Sequence, residues 1–219
     1  MELLHLHEFI GDLAVITTIL QFLSGALVCK QYVVNRTTGE SSPLPFICCV
    51  LSCAIWLFYG VVKRDDKIVL VNFVGIALMS GYTVVFYIFT FKKSMVLKQC
   101  ATSILIFIFI IWFVKKEDDE LLLRTVLGIL ASFFTLVTIS APMSKLIHVI
   151  KTRSTECLPF PLILMSFLVS SLWTLYGYII QDYFLQTVNV VGAVLAIAQL
   201  SLFLIYPNNP QFQLLPKYI

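Results

Sequence analysis

The fragment Trp-Leu-Phe-Tyr-Gly at residues 56–60 returns as Trp-Thr-Leu-Tyr-Gly at 173–177, and the match continues beyond it. The same shift of 117 residues carries Asp65 onto Asp182, Asn72 onto Asn189 and Gly75 onto Gly192. Six identities at one offset mark an internal duplication. Whatever this chain folds into must therefore contain one unit twice. The paired residues include Trp, Tyr, Asp and Asn, which are costly inside an apolar protein. A twinned polar and aromatic set in such a chain points to a site built from both halves.

The setting is apolar: 59% of the 219 residues are hydrophobic, 12% are charged, and the mean hydropathy is +0.95. A soluble domain cannot hide that much apolar surface. A bilayer core needs about 20 apolar residues per helix, and seven spans can be drawn, at 9–32, 44–62, 68–91, 98–114, 122–150, 159–180 and 184–207. Each must be helical, because hydrocarbon offers no partner for free backbone groups. The repeat pairs span 2 with span 6 and span 3 with span 7, so span 1 pairs with span 5. Paired spans are four crossings apart, so both units enter the membrane in the same direction. Two three-helix units joined directly could not do so, because three is odd. Span 4 supplies the missing crossing. The expected architecture is all-α and integral to the membrane, with seven transmembrane helices as two parallel three-helix bundles joined by a linker helix (3+1+3). The divisions are 1–94, 95–117 and 118–207, with a cytosolic tail at 208–219.

Alternate loops sort the charges. One side receives nine Lys and Arg against two acids; the side with the N terminus receives six against ten. The positive-inside rule makes the first side cytosolic, so the N terminus is expected outside or in a lumen and the C terminus in the cytosol. Residues 1–12 carry Glu2, Glu8 and Asp12 where a cleavable signal would be basic, so span 1 is expected to serve as an uncleaved insertion signal. The sequon Asn35-Arg36-Thr37 falls on the cytosolic side and reads as a polar turn. Basic residues are scattered over many loops, which speaks against nucleic acid as a partner. None of the six cysteines has zinc-site spacing, and they read as small buried hydrophobes. No metal or cofactor is expected.

Four residue pairs stand out chemically. An Asn amide has two donors and two acceptor lone pairs, which suits vicinal hydroxyls, so Asn72 and Asn189 are candidate contacts for a hydroxyl-bearing ligand. The competing use of Asn in membranes is to hydrogen-bond helices together. Trp56 and Trp173 could belong to an interfacial belt. Counted at 1.5 Å per residue, however, Trp56 lies about 9 Å inside its span and Asn72 about 6 Å inside the next, so the two can share a level. An aromatic face can stack on the C–H face of a ligand while amides bond its hydroxyl edge. Tyr59 and Tyr176 lie three residues beyond each Trp, on the same helix face. Asp65 and Asp182 follow in the connections, where solvation is their ordinary role.

The doubled pattern Trp-x-x-Tyr-Gly, Asp, Asn-x-x-Gly resembles the SWEET sugar transporters, the MtN3/saliva family. Ser42-Pro43-Leu44-Pro45 after span 1, the stretch from Lys151 to Glu156 before Pro159-Phe160-Pro161, and Ala141-Pro142 in span 5 are similar to the family too. The resemblance covers nearly the whole chain. It implies that the Asn pair contacts the sugar, that the Trp positions line the pocket, and that Tyr59, Tyr176, Asp65 and Asp182 form an extracellular gate. Trp in both repeats should make the pocket narrow. It also implies four symmetric prolines as hinges of the cytosolic gate. Pro45, Pro142 and Pro159 match, with Pro161 as an alternative to Pro159, while the first position is Gly25.

The resemblance thus implies a bidirectional facilitative uniporter that carries a monosaccharide such as glucose by alternating access. The span centres lack Asp, Glu, Lys and Arg, the usual marks of ion pathways. A proton-coupled amino-acid exporter of the PQ-loop type is the alternative, but Pro-Gln occurs only at Pro210-Gln211. A seven-helix receptor fits the repeat poorly, and no nucleophile–base pair suggests an enzyme. The expected partners are a small sugar and the lipid bilayer, with a second copy of the chain left open. The expected location is the plasma membrane, with the Golgi or another endomembrane as the alternative.

Overall fold

A computed structural model of the chain describes residues 2–156 and 158–206, with side chains described for 5–139, 146–156 and 158–206. The described residues form helices: α1 (Glu2–Leu23), α2 (Gly25–Asn35), α3 (Leu44–Lys63), α4 (Asp66–Phe89), α5 (Lys93–Lys116), α6 (Glu120–Thr152), α7 (Phe160–Ile179) and α8 (Tyr183–Ile205). Among them are seven stretches long and apolar enough to cross a membrane, α1 and α2 together making the first. The chain is an integral, multi-pass membrane protein. The expected tail at 208–219, with Pro210-Gln211, lies outside the described residues.

The packing order explains where a cavity can form. Helix α4 lies against both α1/α2 and α3, and α8 lies against both α6 and α7. The two groups meet where α1 packs on α7 and α3 on α6. Six spans thus close a ring, while α5 packs on the outside of α3. Of α5 only Val96 and Ile110 are buried, as befits a helix that mainly faces lipid. Leu20, Phe73, Ile104, Ile108 and Val194 are exposed apolar residues. In a bilayer such surface needs no cover.

The backbone repeats as the sequence does. Arg36 and Arg153 end α2 and α6 in the left-handed region (φ 56° and 52°), and Arg64 and Gln181 do so after α3 and α7 (φ 60° and 54°). Both pairs are 117 residues apart. After α3 and α7 the chain closes in one way: the Asp65 N–H donates to the Gly60 carbonyl at 2.9 Å, and the Asp182 N–H to that of Gly177 at 2.8 Å. These six-to-one bonds complete a left-handed helix terminus. The same aspartates start the next helices: Asp65 Oδ1 accepts from the N–H groups of Lys67 and Ile68, and Asp182 Oδ1 from that of Leu185. The glycines let the paired helices approach. A Cβ at Gly60 would lie 2.9 Å from Ile68, and one at Gly177 3.0 Å from the Gln186 backbone nitrogen.

The helix boundaries bear on two expectations about bending. Span 1, drawn as 9–32, is two helices, α1 and α2, parted at Ser24. The prolines expected to act as hinges of spans 2 and 6 stand at the starts of those helices. Pro45 is the second residue of α3; Pro159 caps α7 and Pro161 is its second residue. By helix position Pro161, not Pro159, is the counterpart of Pro45. In the first turn a proline removes no intrahelical hydrogen bond, so these residues do not kink a helix interior, and a hinge role for them would act at the helix starts. Position 142 falls within α6; the Pro142 side chain is outside the described residues.

Candidate functional site

A cavity of about 430 Å³ occupies the centre of the ring, within the usual range for small-molecule sites. Trp56, Trp173, Asn72 and Asn189 all line it. It reaches from the indole layer to Met79 on α4 and Gln199 on α8. Among the described residues, no Asp, Glu, Lys, Arg or His lines it. The sequence pairs are thus brought together across the two units, and the Trp residues are not an interfacial belt.

Each Asn sits about two turns into its helix, deeper than the sequence reading put it. The Asn72 amide donates to the Ile68 carbonyl, and Asn189 to that of Leu185, both at 2.8 Å. These bonds stay within one helix, so they do not glue helices together. They fix the amides while using one of four hydrogen-bonding capacities. The glycine three residues on gives room for the neighbouring helix. A Cβ at Gly75 would lie 2.8 Å from Cys53 Sγ, and one at Gly192 2.7 Å from Ser170 Oγ. Cys53 and Ser170 are themselves 117 residues apart.

The indoles are held by residues that the sequence reading missed. Trp56 Nε1 donates to Thr135 Oγ1 at 2.9 Å, and Trp173 Nε1 to Thr18 Oγ1 at 2.8 Å. Each bond joins one unit to the other. Thr18 and Thr135 differ by the same 117, so their signal was present in the sequence. It went unread because Thr is common and no dense motif surrounds it in spans 1 and 5. Further along the cavity, Gln21 Nε2 donates to Ser166 Oγ at 2.8 Å.

The end bearing Asp65 and Asp182 is shut. Tyr59 donates to Asp182 Oδ2 at 2.8 Å, and Tyr176 to Asp65 Oδ2 at 2.9 Å. The bonds cross between units, each Tyr reaching the other unit's Asp. Tyr59 is 1% exposed, Tyr176 2% and Asp182 3%, so simple solvation of the Asp182 carboxylate is ruled out. Each Tyr meets its Trp edge-on, at 5.3 Å (87°) and 5.5 Å (88°) between ring centroids. Indoles and phenols therefore form one layered plug.

The plug is not symmetric in charge. The Lys63 ammonium also binds Asp182 Oδ2, whereas the position 117 residues on is Ile180. On the other side Lys67 bridges Glu8 (2.8 Å) and Asp12 (2.5 Å) on α1. There the His7 ring stacks on Tyr176, with centroids 5.1 Å apart.

The duplication seen in the sequence and in the backbone also marks the family to which the chain is similar. The family model described as "Sugar efflux transporter for intercellular exchange" (MtN3_slv) matches twice, over residues 8–94 and 125–211. This chain belongs to the MtN3/saliva (SWEET) family. Among its relatives, Sugar transporter SWEET1 of Drosophila pseudoobscura pseudoobscura is 41% identical over 203 residues, 92% of this chain and 90% of the relative. Sugar transporter SWEET1 of Homo sapiens is 30% identical over 207 residues, covering 93% of each. A solved structure of a eukaryotic SWEET transporter superposes with a TM-score of 0.82 over 93% of this chain and all of the other, at 23% identity. At that identity the likeness speaks for the fold.

Proposed function

We propose that this SWEET-family chain is a sugar uniporter, moving a monosaccharide such as glucose down its gradient in either direction by alternating access. The observation that carries the reading is the central cavity, lined by twin amides and twin indoles and shut at one end by crossed Tyr–Asp bonds. Polar amides at fixed positions among apolar walls suit a ligand with hydroxyl edges and C–H faces. Family membership and the names of the relatives support a sugar as cargo.

In this reading Asn72 and Asn189 bond the sugar hydroxyls and Trp56 and Trp173 stack on its faces. Tyr59, Tyr176, Asp65 and Asp182 form the outer gate. The duplicated units, 1–94 and 118–207, rock against each other around the site, with 95–117 as linker; parallel-repeat transporters place substrate at such an interface. The end bearing Asp65 and Asp182 faces the cell exterior or a lumen, so the gate is closed outward here. Each indole holds a Thr of the opposite unit just beneath the gate. Opening outward must break those bonds, which links Trp orientation, and hence sugar contact, to the gate. Uniport is supported by a cavity wall that carries neither carboxylates nor cationic side chains among the described residues.

The test is radiolabelled glucose uptake and efflux in vesicles, with and without a pH gradient. Flux should run both ways and end at equal concentrations. Accumulation against the gradient, abolished by a protonophore, would falsify uniport and favour the proton-coupled alternative.

A further inference from the structure

Much of the cavity lining obeys the 117-residue relation, with departures at Gln21 and Thr138, Phe22 and Ile139, Ser52 and Val169, and at three sulfur-bearing residues. Cys49, Cys53 and Met79 line the side built by α3 and α4, where their counterparts are Ser166, Ser170 and Ala196. The second unit thus carries hydroxyls at two lining positions where the first carries thiols. A thiol is a weak hydrogen-bonding group, so the sulfurs add little to the recognition of hydroxyls. Their arrangement suits different chemistry. Cys49 and Cys53 are one helical turn apart on α3, with sulfurs 4.0 Å from each other. Thiolate–metal bonds of about 2.3 Å would span that gap at an angle of about 120°. Met79 packs in the same cluster as Cys49, a further soft sulfur in the wall. The helix fixes the spacing. A reducing cytosol keeps such thiols unoxidised.

We propose that Cys49 and Cys53 form a dithiol clamp that captures one soft, thiophilic centre, such as a trivalent arsenical, and that its occupation blocks the cavity. The blocking half rests on the transport reading above; the capture half does not. With phenylarsine oxide the step balances without an oxidant. Two sulfur–arsenic bonds form, the arsenic–oxygen double bond breaks, and both thiol protons leave with that oxygen as water.

The experiment uses the full chain in vesicles, with Cys29, Cys48, Cys100 and Cys157 replaced by Ser. Cys49→Ser and Cys53→Ser are mild variants, since the twin wall already carries Ser at both positions. Intact-mass measurement after phenylarsine oxide should show one phenylarsenic adduct per chain. The adduct should survive excess 2-mercaptoethanol, be removed by 2,3-dimercaptopropanol, and be absent from either single-Ser variant under the same wash. Glucose flux, taken relative to each variant's own untreated flux, should fall with the adduct and return with dimercaptopropanol. The single-Ser variants should need roughly a hundredfold more reagent, the loss of one of two anchoring bonds leaving only monothiol capture. Adducts that persist equally in both variants, or that a monothiol removes from the parent, overturn the clamp. Full flux in adducted protein overturns the block. If the vesicles carry no sugar at all, the uniporter reading and the block fall together, while the adduct count still decides the clamp.

Discussion

At the scale of single residues, the cavity asks for hydrogen bonds that leave nothing buried and unpaired. Asn72→Ala or Asn189→Ala removes a partner from a bound polar group, at a cost of about 1–3 kcal/mol for each hydrogen bond removed. Either variant should reach the membrane and lose most of its sugar flux; near-normal flux in correctly located protein would remove the Asn pair from the site. The indole bonds give a sharper contrast. Thr18→Val keeps the shape but strands the Trp173 N–H, while Thr18→Ser keeps the acceptor. The Val variant should raise KM several-fold and the Ser variant should stay close to the parent, with the same order at Thr135. Equal behaviour of Val and Ser at either position would mean that the hydroxyl does not position the ring.

At the scale of elements, the first span shows how a helix can be interrupted without proline. The break at Ser24 is bridged by short-range bonds, from Ser24 N–H to Gln21 O at 3.2 Å and from Leu27 N–H to Ser24 O at 3.1 Å. Tyr82 on α4 donates to the Phe22 carbonyl at the break, at 3.2 Å. Gly25 opens α2 beneath that ring: an added Cβ would lie 2.5 Å from Tyr82. Gly25 is therefore a close-packing position at a break in the span. Gly25→Ala should push Tyr82 off the carbonyl and destabilise the chain by about 1–3 kcal/mol, as overpacking does. Melting of the purified protein would show it, and Gly25→Pro should be at least as damaging. A Gly25→Ala chain as stable as the parent would refute the packing role. Pro142→Ala tests the hinge in span 5, since alanine restores the missing donor. Slowed flux with sugar binding retained is the expected result, and normal flux would make Pro142 a static feature.

At the scale of the molecule, the transport reading makes the crossed Tyr–Asp plug the gate that sets which way the ring opens. A hydrogen bond to a charged group is worth about 1.5–3 kcal/mol, and each step of about 1.4 kcal/mol shifts a two-state balance tenfold. The two latches should not count equally. Tyr59→Phe leaves Asp182 still held across the units by Lys63, whereas Tyr176→Phe leaves Asp65 without a cross-unit bond among those described. Tyr176→Phe should therefore open the outer end more. The readout is how fast a membrane-impermeant maleimide, added on the side of Asp65 and Asp182, labels Cys49. The reverse order would show that the Lys63 ion pair does not reinforce its latch.

The sequence alone determined the architecture, because hydropathy limits the spans and a parallel duplication with an odd number of helices demands one extra crossing. It also singled out the Asn, Trp, Tyr and Asp pairs, since rare residues at a constant offset stand out from an apolar background. Tertiary structure decided what depends on neighbours distant in the chain. Which Asp each Tyr reaches is one example, with Tyr59 and Asp182 being 123 residues apart. That Thr18 and Thr135 hold the indoles is another, because common residues carry no local signal of their partner. The prolines show the same limit. A proline promises a bend only inside a helix, and the start of α3 and α7 placed Pro45, Pro159 and Pro161 where no bond is there to break.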